Sequence, residues 1–515
     1  MTTSTAPIAT PAPAVERAHA RTLLSAWRSE VGLPLLLGVL ATVVTATGSW
    51  IPSFWGDEAA TAMSAQRSWS SLLLEVRHVD AVHALYYAIM HVWVQAFGAG
   101  PLALRFPSTL ALGATVAGLV VLTRLSDGTR VTAVVVAVCT TLLPRLSHQG
   151  EEARAYAMDA AVATWIIVAV CATLRSRIRP RTGWTIVAAL TIVGTYLFLY
   201  VGLMLVVTGV FVLSSSGRSR HLRAWLVSTA TVVVAVAPIA LVGMSQKAQV
   251  AFLAHRVTSD PASVLVSVYF SRTWVAVVCW TLVLIAVAAA VRTHAQSGWE
   301  TGRQPAPSLV GIGVVWGVLP LALLVAVNPV AHEFSARYAT FTAPGIALLV
   351  ASGIEVLGRG NRWVGLFAGG LTLALVVPVW LGQRTPAAFN ASDWSTTAAL
   401  VRDHARPGDQ VAFDVTVRPS RRELLALRTY PSDFARLKEV QVTTPYWENT
   451  SWDDRALTVE QAADAGRFHD GRVWLLQDAH GGVVDHEGEA TLRDAGFHRV
   501  RAWRAPTSEL VLFQR

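Results

Sequence analysis

The chain has 515 residues, 53% of them hydrophobic and 15% charged. Soluble globular domains carry about 25% charged residues, so a single water-soluble fold is excluded, and the apolar content also excludes a disordered or collagenous chain. The formal charge of +9, from 42 Lys and Arg against 33 Asp and Glu, fits either a polyanion-binding surface or the basic cytoplasmic loops of a membrane protein. Where the charge sits along the chain decides between them.

Residues 1–30 begin with a Thr-, Ala- and Pro-rich stretch and read as a disordered cytoplasmic segment. They lack the cationic start and adjacent apolar core of a cleavable signal peptide, so the first span should be retained. Apolar runs then recur at 32–50, 101–123, 131–147, 154–174, 224–242, 263–291, 308–327, 338–357 and 363–381, each near the roughly 20 residues a membrane helix needs. The apolar run 184–213 is too long for one upright span and short for two. Residues 82–97 are apolar but contain His83, His91 and Gln95, so they either cross or lie flat in the interface.

The positive-inside rule arbitrates both cases. With 184–213 as two short spans breaking between Gly194 and Gly202, and 82–97 lying flat, there are eleven spans. The cytoplasmic loops then hold sixteen cations (Arg17, Arg21, Arg28, Arg124, Arg130, Arg175, Arg177, Arg179, Arg181, Arg218, Arg220, Arg223, Arg292, Arg303, Arg359 and Arg362) against four acids. Either alternative weakens that bias. The N-terminus is therefore expected in the cytoplasm and the C-terminal region outside the plasma membrane.

From Gln383 the composition changes to 17 cations and 19 acids with no membrane-length apolar run. The expected organisation is a transmembrane unit over 31–382 and an extracytoplasmic soluble α/β domain over 383–515. Within the latter, 393–415 reads as helix, Pro-Gly turn and strand, and 472–478 and 509–514 read as further strands, which suggests a small α/β sandwich. Residues before Gln383 carry a net +11 and the tail a net −2, so the basicity is an orientation signal and no nucleic-acid partner is expected. Cys139, Cys171 and Cys279 lie in apolar runs without a CxxC pair, which argues against a zinc site or a disulfide framework.

Ionisable residues beside a bilayer are costly, so their clustering is informative. On this topology they gather in three outer segments: Asp57 and Glu58 with Asp80 and His83; His148, Glu151, Glu152, Arg154 and Tyr156; and His332, Glu333, Arg337 and Tyr338. Asp57 and Glu58, being adjacent on a helix, point in different directions, so that one faces a cavity while the other holds a metal, a backbone N–H or an arginine; capping of the helix start is the alternative to a functional part for them. Arg154 and Arg337 are each followed closely by Tyr. Two guanidiniums form a planar receptor for phosphate, with interfacial snorkelling as the alternative. Each histidine, taken singly, reads more readily as hydrogen-bonded than as a metal ligand. No HExxH, Walker or GxGxxG signature is present.

The pieces WGDEA, VDAVHALYY, LRFPSTLALG, EEARAYA and ARYATFTAP, in that order, resemble the GT-C membrane glycosyltransferases. The nearest likeness is to actinobacterial mannosyltransferase-like proteins grouped with protein O-mannosyltransferases and aminoarabinose transferases (glycosyltransferase family 39-like). The resemblance covers roughly residues 30–350. It implies a bundle of about eleven transmembrane helices with flat juxtamembrane helices. It also implies an inverting transfer of a sugar, such as mannose, from a polyprenyl-phosphate donor to a hydroxyl of a glycan, lipid or protein acceptor.

On that resemblance Asp57 is the catalytic base, while Glu58, Asp80 and His83 orient the acceptor or hold a metal. Arg154, Arg337 and His148 bind the donor phosphate, and Glu152, Tyr156 and Tyr338 join the site. A divalent metal, with Glu58 and His83 as its ligands, stays open. The sequence departs from the HPPLYY-like segment of many relatives at VHALYY, around His83. A transporter or lipid-carrier flippase is the alternative class, but the charges lie in outer loops rather than at mid-bilayer and no inverted repeat is visible.

Overall fold

A computed structural model describes residues 31–249, 259–296 and 307–515. The expected disordered segment 1–30 lies outside the described residues, as does Arg303. In chain order the helices are α1 (Gly32–Ala46), α2 (Gly56–Gln66), α3 (Trp69–His78), α4 (Ala84–Phe97), α5 (Pro101–Leu125), α6 (Arg130–Leu142), α7 (Pro144–Gly150), α8 (Tyr156–Leu174), α9 (Pro180–Leu197), α10 (Met204–Ser214), α11 (Arg218–Ser245), α12 (Thr273–Gln296), α13 (Leu309–Ala331), α14 (Ala343–Gly360), α15 (Arg362–Gly382) and α16 (Trp394–His404).

Among the described residues seven helices are long and apolar enough to cross a membrane, or eight when the bent pair α6–α7 counts as one span; α1 and Leu199–Ser214 are shorter apolar helices. The protein is thus a multi-pass membrane bundle with a mixed α/β domain after it. Helices α5, α8 and α14 are the most enclosed.

Three apolar runs fold differently from continuous spans. Residues 131–147 bend by 65° between α6 and α7, because Pro144 has no N–H to donate and disfavours helical backbone at Leu143. Residues 263–291 divide into a short π-type turn, Ser263–Ser267, and α12, with Ser271 at a φ of 61° between them. The run 184–213 breaks at Phe198, whose extended backbone leads into the 3-10 turn Leu199–Leu203. It therefore forms two helices, α9 and α10.

The C-terminal strands are β1 (Gln410–Phe413), β2 (Lys438–Glu439), β3 (Val442–Thr444), β4 (Arg455–Ala456), β5 (Arg472–Asp478), β6 (His498–Arg504) and β7 (Ser508–Gln514). Five form a mixed sheet in the order β2-β1-β5-β7-β6, parallel across β2-β1-β5 and antiparallel beyond, and β3 pairs with β4. Alternation along the strands divides the sheet into two buried faces. Ala412, Val473, Leu475, Val511 and Phe513 pack with Val459, Ala462 and Leu492. Val411, Phe413, Trp474, Leu476, Leu510 and Leu512 face Trp394 and Val401 of α16, and share one core with Phe54, Met63, Leu72, Tyr86 and Met90 of the segment after α1. Helices α2 to α4 therefore form a layer between the sheet and the bundle.

Candidate active site

The site is assembled where α1 ends, where α5 and α8 begin, and where α15 leads into the soluble domain. Its framework is a set of buried ion pairs. The Arg105 guanidinium grips Glu58 with Nε to Oε1 at 2.7 Å and Nη2 to Oε2 at 2.6 Å. Its remaining hydrogens go to the carbonyls of Ser49, Pro52 and Ser53. Both side chains are fully buried, so the fork satisfies a loop whose backbone acceptors would otherwise be orphaned.

Glu58 also accepts from the Ala153 N–H at 2.9 Å, Thr61 donates to the Ala153 carbonyl, and Ser108 donates to the Glu152 carbonyl. These bonds hold residues 151–155 in the irregular conformation between α7 and α8. Arg384, following α15, pairs with Glu151 at 3.3 Å and donates to the Thr45 and Thr47 carbonyls.

On this frame Asp57 lies in the first turn of α2, and its Oδ2 accepts from Arg337 Nη1 at 2.5 Å. The two side chains are about a fifth exposed, 20% for Asp57 and 23% for Arg337, so the pair is reachable. Arg337 enters from the 3-10 segment Ala336–Thr342 before α14, and its guanidinium lies 5.6 to 5.9 Å from the ring centroids of Trp55, Tyr156 and Tyr338. Tyr156 and Tyr338 belong to an aromatic wall completed by Phe198 and Tyr200. The wall exists because the break at Phe198 turns that ring inward, and the residues around the break were not singled out from sequence.

Arg154 reaches the same place from the other side. Its Nη1 donates to the Asp57 carbonyl and the Tyr87 hydroxyl, both at 3.4 Å, and its Nη2 lies 3.0 Å from His83 Nε2. A guanidinium only donates, so His83 accepts through Nε2 and is neutral with its proton on Nδ1. Burial, reinforced by Arg154 and Arg337, holds His83 well below the ordinary histidine pKa. Tyr87, whose role the sequence did not indicate, donates to Asp80 Oδ2 at 3.0 Å. Burial raises the Asp80 carboxyl above the usual range, against the pull of Arg154 and the Tyr87 hydrogen bond.

Asp57 behaves oppositely. Burial alone would raise its pKa, but Arg337, Arg154 and Arg418 together hold it below the usual carboxylate value. Glu152 is buried, its Oε2 makes no hydrogen bond, and burial pushes its carboxyl up to about 7 although Arg337 opposes the shift.

The structure thus gathers Asp57, Asp80, His83, Glu152, Arg154, Tyr156, Arg337 and Tyr338. Four other sequence candidates, Glu58, His148, His332 and Glu333, have different surroundings. Glu58 faces Arg105 inside the frame, with both oxygens partnered, and so offers nothing to an acceptor or a metal. His148 packs edge-on against Phe389 at 4.7 Å and lies 3.9 Å from Glu152, beside the cluster and within the field of Arg337. His332 is exposed, with Nδ1 against the Val330 carbonyl. Glu333 lies against Tyr200. The metal suggestion fails on donor chemistry: Glu58 is committed to Arg105 and His83 Nε2 to Arg154. Among the described residues no group of three or more His, Cys, Asp or Glu is placed to hold an ion.

Comparison with known proteins bears on the fold. No family model and no curated protein matches the chain. ArnT from Cupriavidus metallidurans in the apo state aligns over 93% of this chain and 98% of its own, with a TM-score of 0.56 and 12% identity. The same protein bound to undecaprenyl phosphate aligns over 94% and 98%, with a TM-score of 0.51 and 12% identity. The chain therefore shares the fold of ArnT. Arabinofuranosyltransferase AftD from Mycobacteria also matches, over 95% of this chain and 40% of its own, with a TM-score of 0.51 and 15% identity.

Proposed function

We propose that this protein is an inverting glycosyltransferase of the GT-C type that moves a sugar, mannose or another polyprenyl-phosphate-linked sugar, from the lipid phosphate to an acceptor hydroxyl of a glycan, lipid or protein. The observation that carries the reading is the meeting at Asp57 of two guanidiniums, Arg337 on its carboxylate and Arg154 on its backbone carbonyl, from three segments remote in sequence. The acceptor oxygen forms a bond to the anomeric carbon, the bond from that carbon to the phosphate oxygen breaks, and the acceptor proton passes to Asp57. The leaving phosphate keeps the bonding electron pair and gains a negative charge, which calls for cations rather than a general acid.

Arg337 serves both halves of this exchange. Before transfer it balances Asp57. As Asp57 takes the proton its charge vanishes, and the guanidinium is released to the phosphate whose charge has just grown. Among the described residues Arg154 makes no hydrogen bond to a carboxylate, and it supplies a standing positive charge, while Tyr87, held by Asp80, and His83 fix its orientation. The aromatic wall of Tyr156, Phe198, Tyr200 and Tyr338 gives a sugar ring apolar faces to lie against.

The reading includes eleven crossings over 31–382, with α9 and α10 as a short pair and α4 flat. It places the N-terminus in the cytoplasm and residues 383–515 outside the plasma membrane. The test is transfer in membranes supplied with a labelled polyprenyl-phosphate sugar. Asp57→Asn should lower the rate by about 100-fold or more, the usual weight of a general base, while the protein still inserts and elutes as wild type. Full activity in this variant would remove Asp57 from the reaction.

A further inference from the structure

Away from the Asp57 cluster, α6, α12, α14 and α15 enclose an apolar slot of about 800 Å³, a volume in the range of ligand sites. It follows from how the helices meet. α14 and α15 touch at their hairpin, where a Cβ on Gly365 would lie 2.5 Å from the Gly358 Cα. Further along α15, Gly369 and Gly370 line the slot without side chains to fill it. Val131, Val134 and Val138 of α6 and Leu366 of α15 line it as exposed apolar residues.

The charged side chains that line the slot, Glu355, Arg359 and Arg362, all sit at one end. Glu355 accepts from Thr132 at 2.8 Å and from Arg359 at 2.7 Å, so it offsets one of the two guanidiniums at most. The Arg359 side chain is 73% exposed. Arg362 is exposed too, its guanidinium 4.9 Å from the Trp363 ring centroid. An apolar length with a cationic mouth is the complement of a lipid that carries a negative headgroup.

The length of the slot selects among such lipids. Along α6 the lining runs from Val131 to Leu143, about 18 Å of helix, against about 15 Å for one leaflet's half of the hydrocarbon core. A leaflet-deep acyl chain fits; an undecaprenyl chain would overrun it. The mouth also lies far from the transferase cluster. Arg337 precedes α14, Arg359 and Arg362 stand at its other end, and the 18 residues of the helix rise about 27 Å, close to the thickness of the core.

We infer that the slot is a binding site for an anionic glycerophospholipid of the leaflet opposite the Asp57 cluster, with its phosphate on Arg359 and Arg362 and an acyl chain between α6 and α15. The inference needs only the membrane bundle, not the reaction assigned to Asp57.

The experiment is native mass spectrometry of the purified full-length protein in detergent, titrated with phosphatidylglycerol or with phosphatidylcholine of the same acyl chains. Wild type should hold phosphatidylglycerol about tenfold more tightly, from the weight of basic residues at a lipid surface. The double variant Arg359→Gln, Arg362→Gln should abolish that preference and leave phosphatidylcholine binding unchanged. Glu355→Gln keeps a partner for Thr132 but removes the opposing acid, and should widen the preference about fivefold. Val138→Trp fills the slot and should weaken both lipids at an unchanged melting temperature. Equal affinity of wild type for the two lipids, a preference that survives the double variant, or lipid binding indifferent to Val138→Trp would overturn the inference. Undecaprenyl phosphate is the third probe: its binding should be untouched by Val138→Trp, and a loss there would overturn the assignment to a glycerophospholipid.

Discussion

At the scale of single residues the two acids nearest Arg337 are tuned in opposite directions. Asp57 stays ionised through the neutral and mildly acidic range, because the arginines around it outweigh its burial. Glu152 meets one of the same cations but is more deeply enclosed, and its carboxyl rests at about 7. Between pH 6 and 8 it is thus Glu152 that titrates and Asp57 that does not. As the pH rises through 7, Glu152 becomes charged beside the guanidiniums proposed to hold the donor phosphate. One added like charge at that range is worth ~1 kcal/mol. The KM for donor should therefore rise by about three- to tenfold from pH 6 to 8.5, with kcat less affected, and Glu152→Gln should hold KM flat. The same rise in the variant would show that another group is responsible.

Asp57, Arg154 and Arg337 were legible in the sequence because ionisable residues are scarce in so apolar a chain. That one of the adjacent acids holds an arginine or a backbone N–H was also legible, but not that it is Glu58, since its partner Arg105 sits 47 positions away inside an apolar run. Nothing local distinguishes a frame acid from a reacting one.

At the scale of helices, hydropathy marked where the apolar runs lie but not where they break. The bend before Pro144 was open to view as a backbone rule, yet the predominantly apolar run 131–147 reads as one span and hides it. The break at Ser271 has no comparable marker, because left-handed backbone at a serine is imposed by packing. What fixes the helices against one another is small residues at crossings. In α5 a Cβ on Gly113 would lie 2.0 Å from Thr42 Oγ1 and 2.7 Å from the Gly38 carbonyl oxygen, both on α1. Gly113→Ala should therefore push α1 from α5 and cost about 1–3 kcal/mol, as overpacking does. In α15 Gly370 faces open space, and Gly370→Ala should be neutral or slightly stabilising. Thermal unfolding in detergent separates the two. Equal melting temperatures for both variants would mean that the α1–α5 contact carries no weight.

At the scale of the whole molecule, the soluble domain is joined to the bundle by a continuous core rather than by a polar, separable interface of the kind usual between domains. Strands were readable from their own residues, but this junction joins positions some 340 to 390 apart and left no trace in composition. Arg67, at the end of α2, shows its logic. Its guanidinium pairs with Glu75 at 2.8 Å with both side chains fully buried, and it donates to the Asn449 and Ser451 carbonyls in the soluble domain. It lies ten residues beyond Asp57, about 15 Å along the helix. Arg67→Ala leaves Glu75 buried without its counter-charge, which costs about 3–5 kcal/mol, and both the melting temperature and transfer should fall. The double variant Arg67→Met, Glu75→Leu removes the uncompensated charge, and apolar replacement of a buried pair is often neutral. It should recover the melting temperature but not the two links to the soluble domain. If transfer stays low in this stable protein, with KM more affected than kcat, the attachment of the domain is what holds α2, and hence Asp57, in register with Arg337. Full recovery of transfer with stability would reduce the attachment to folding alone.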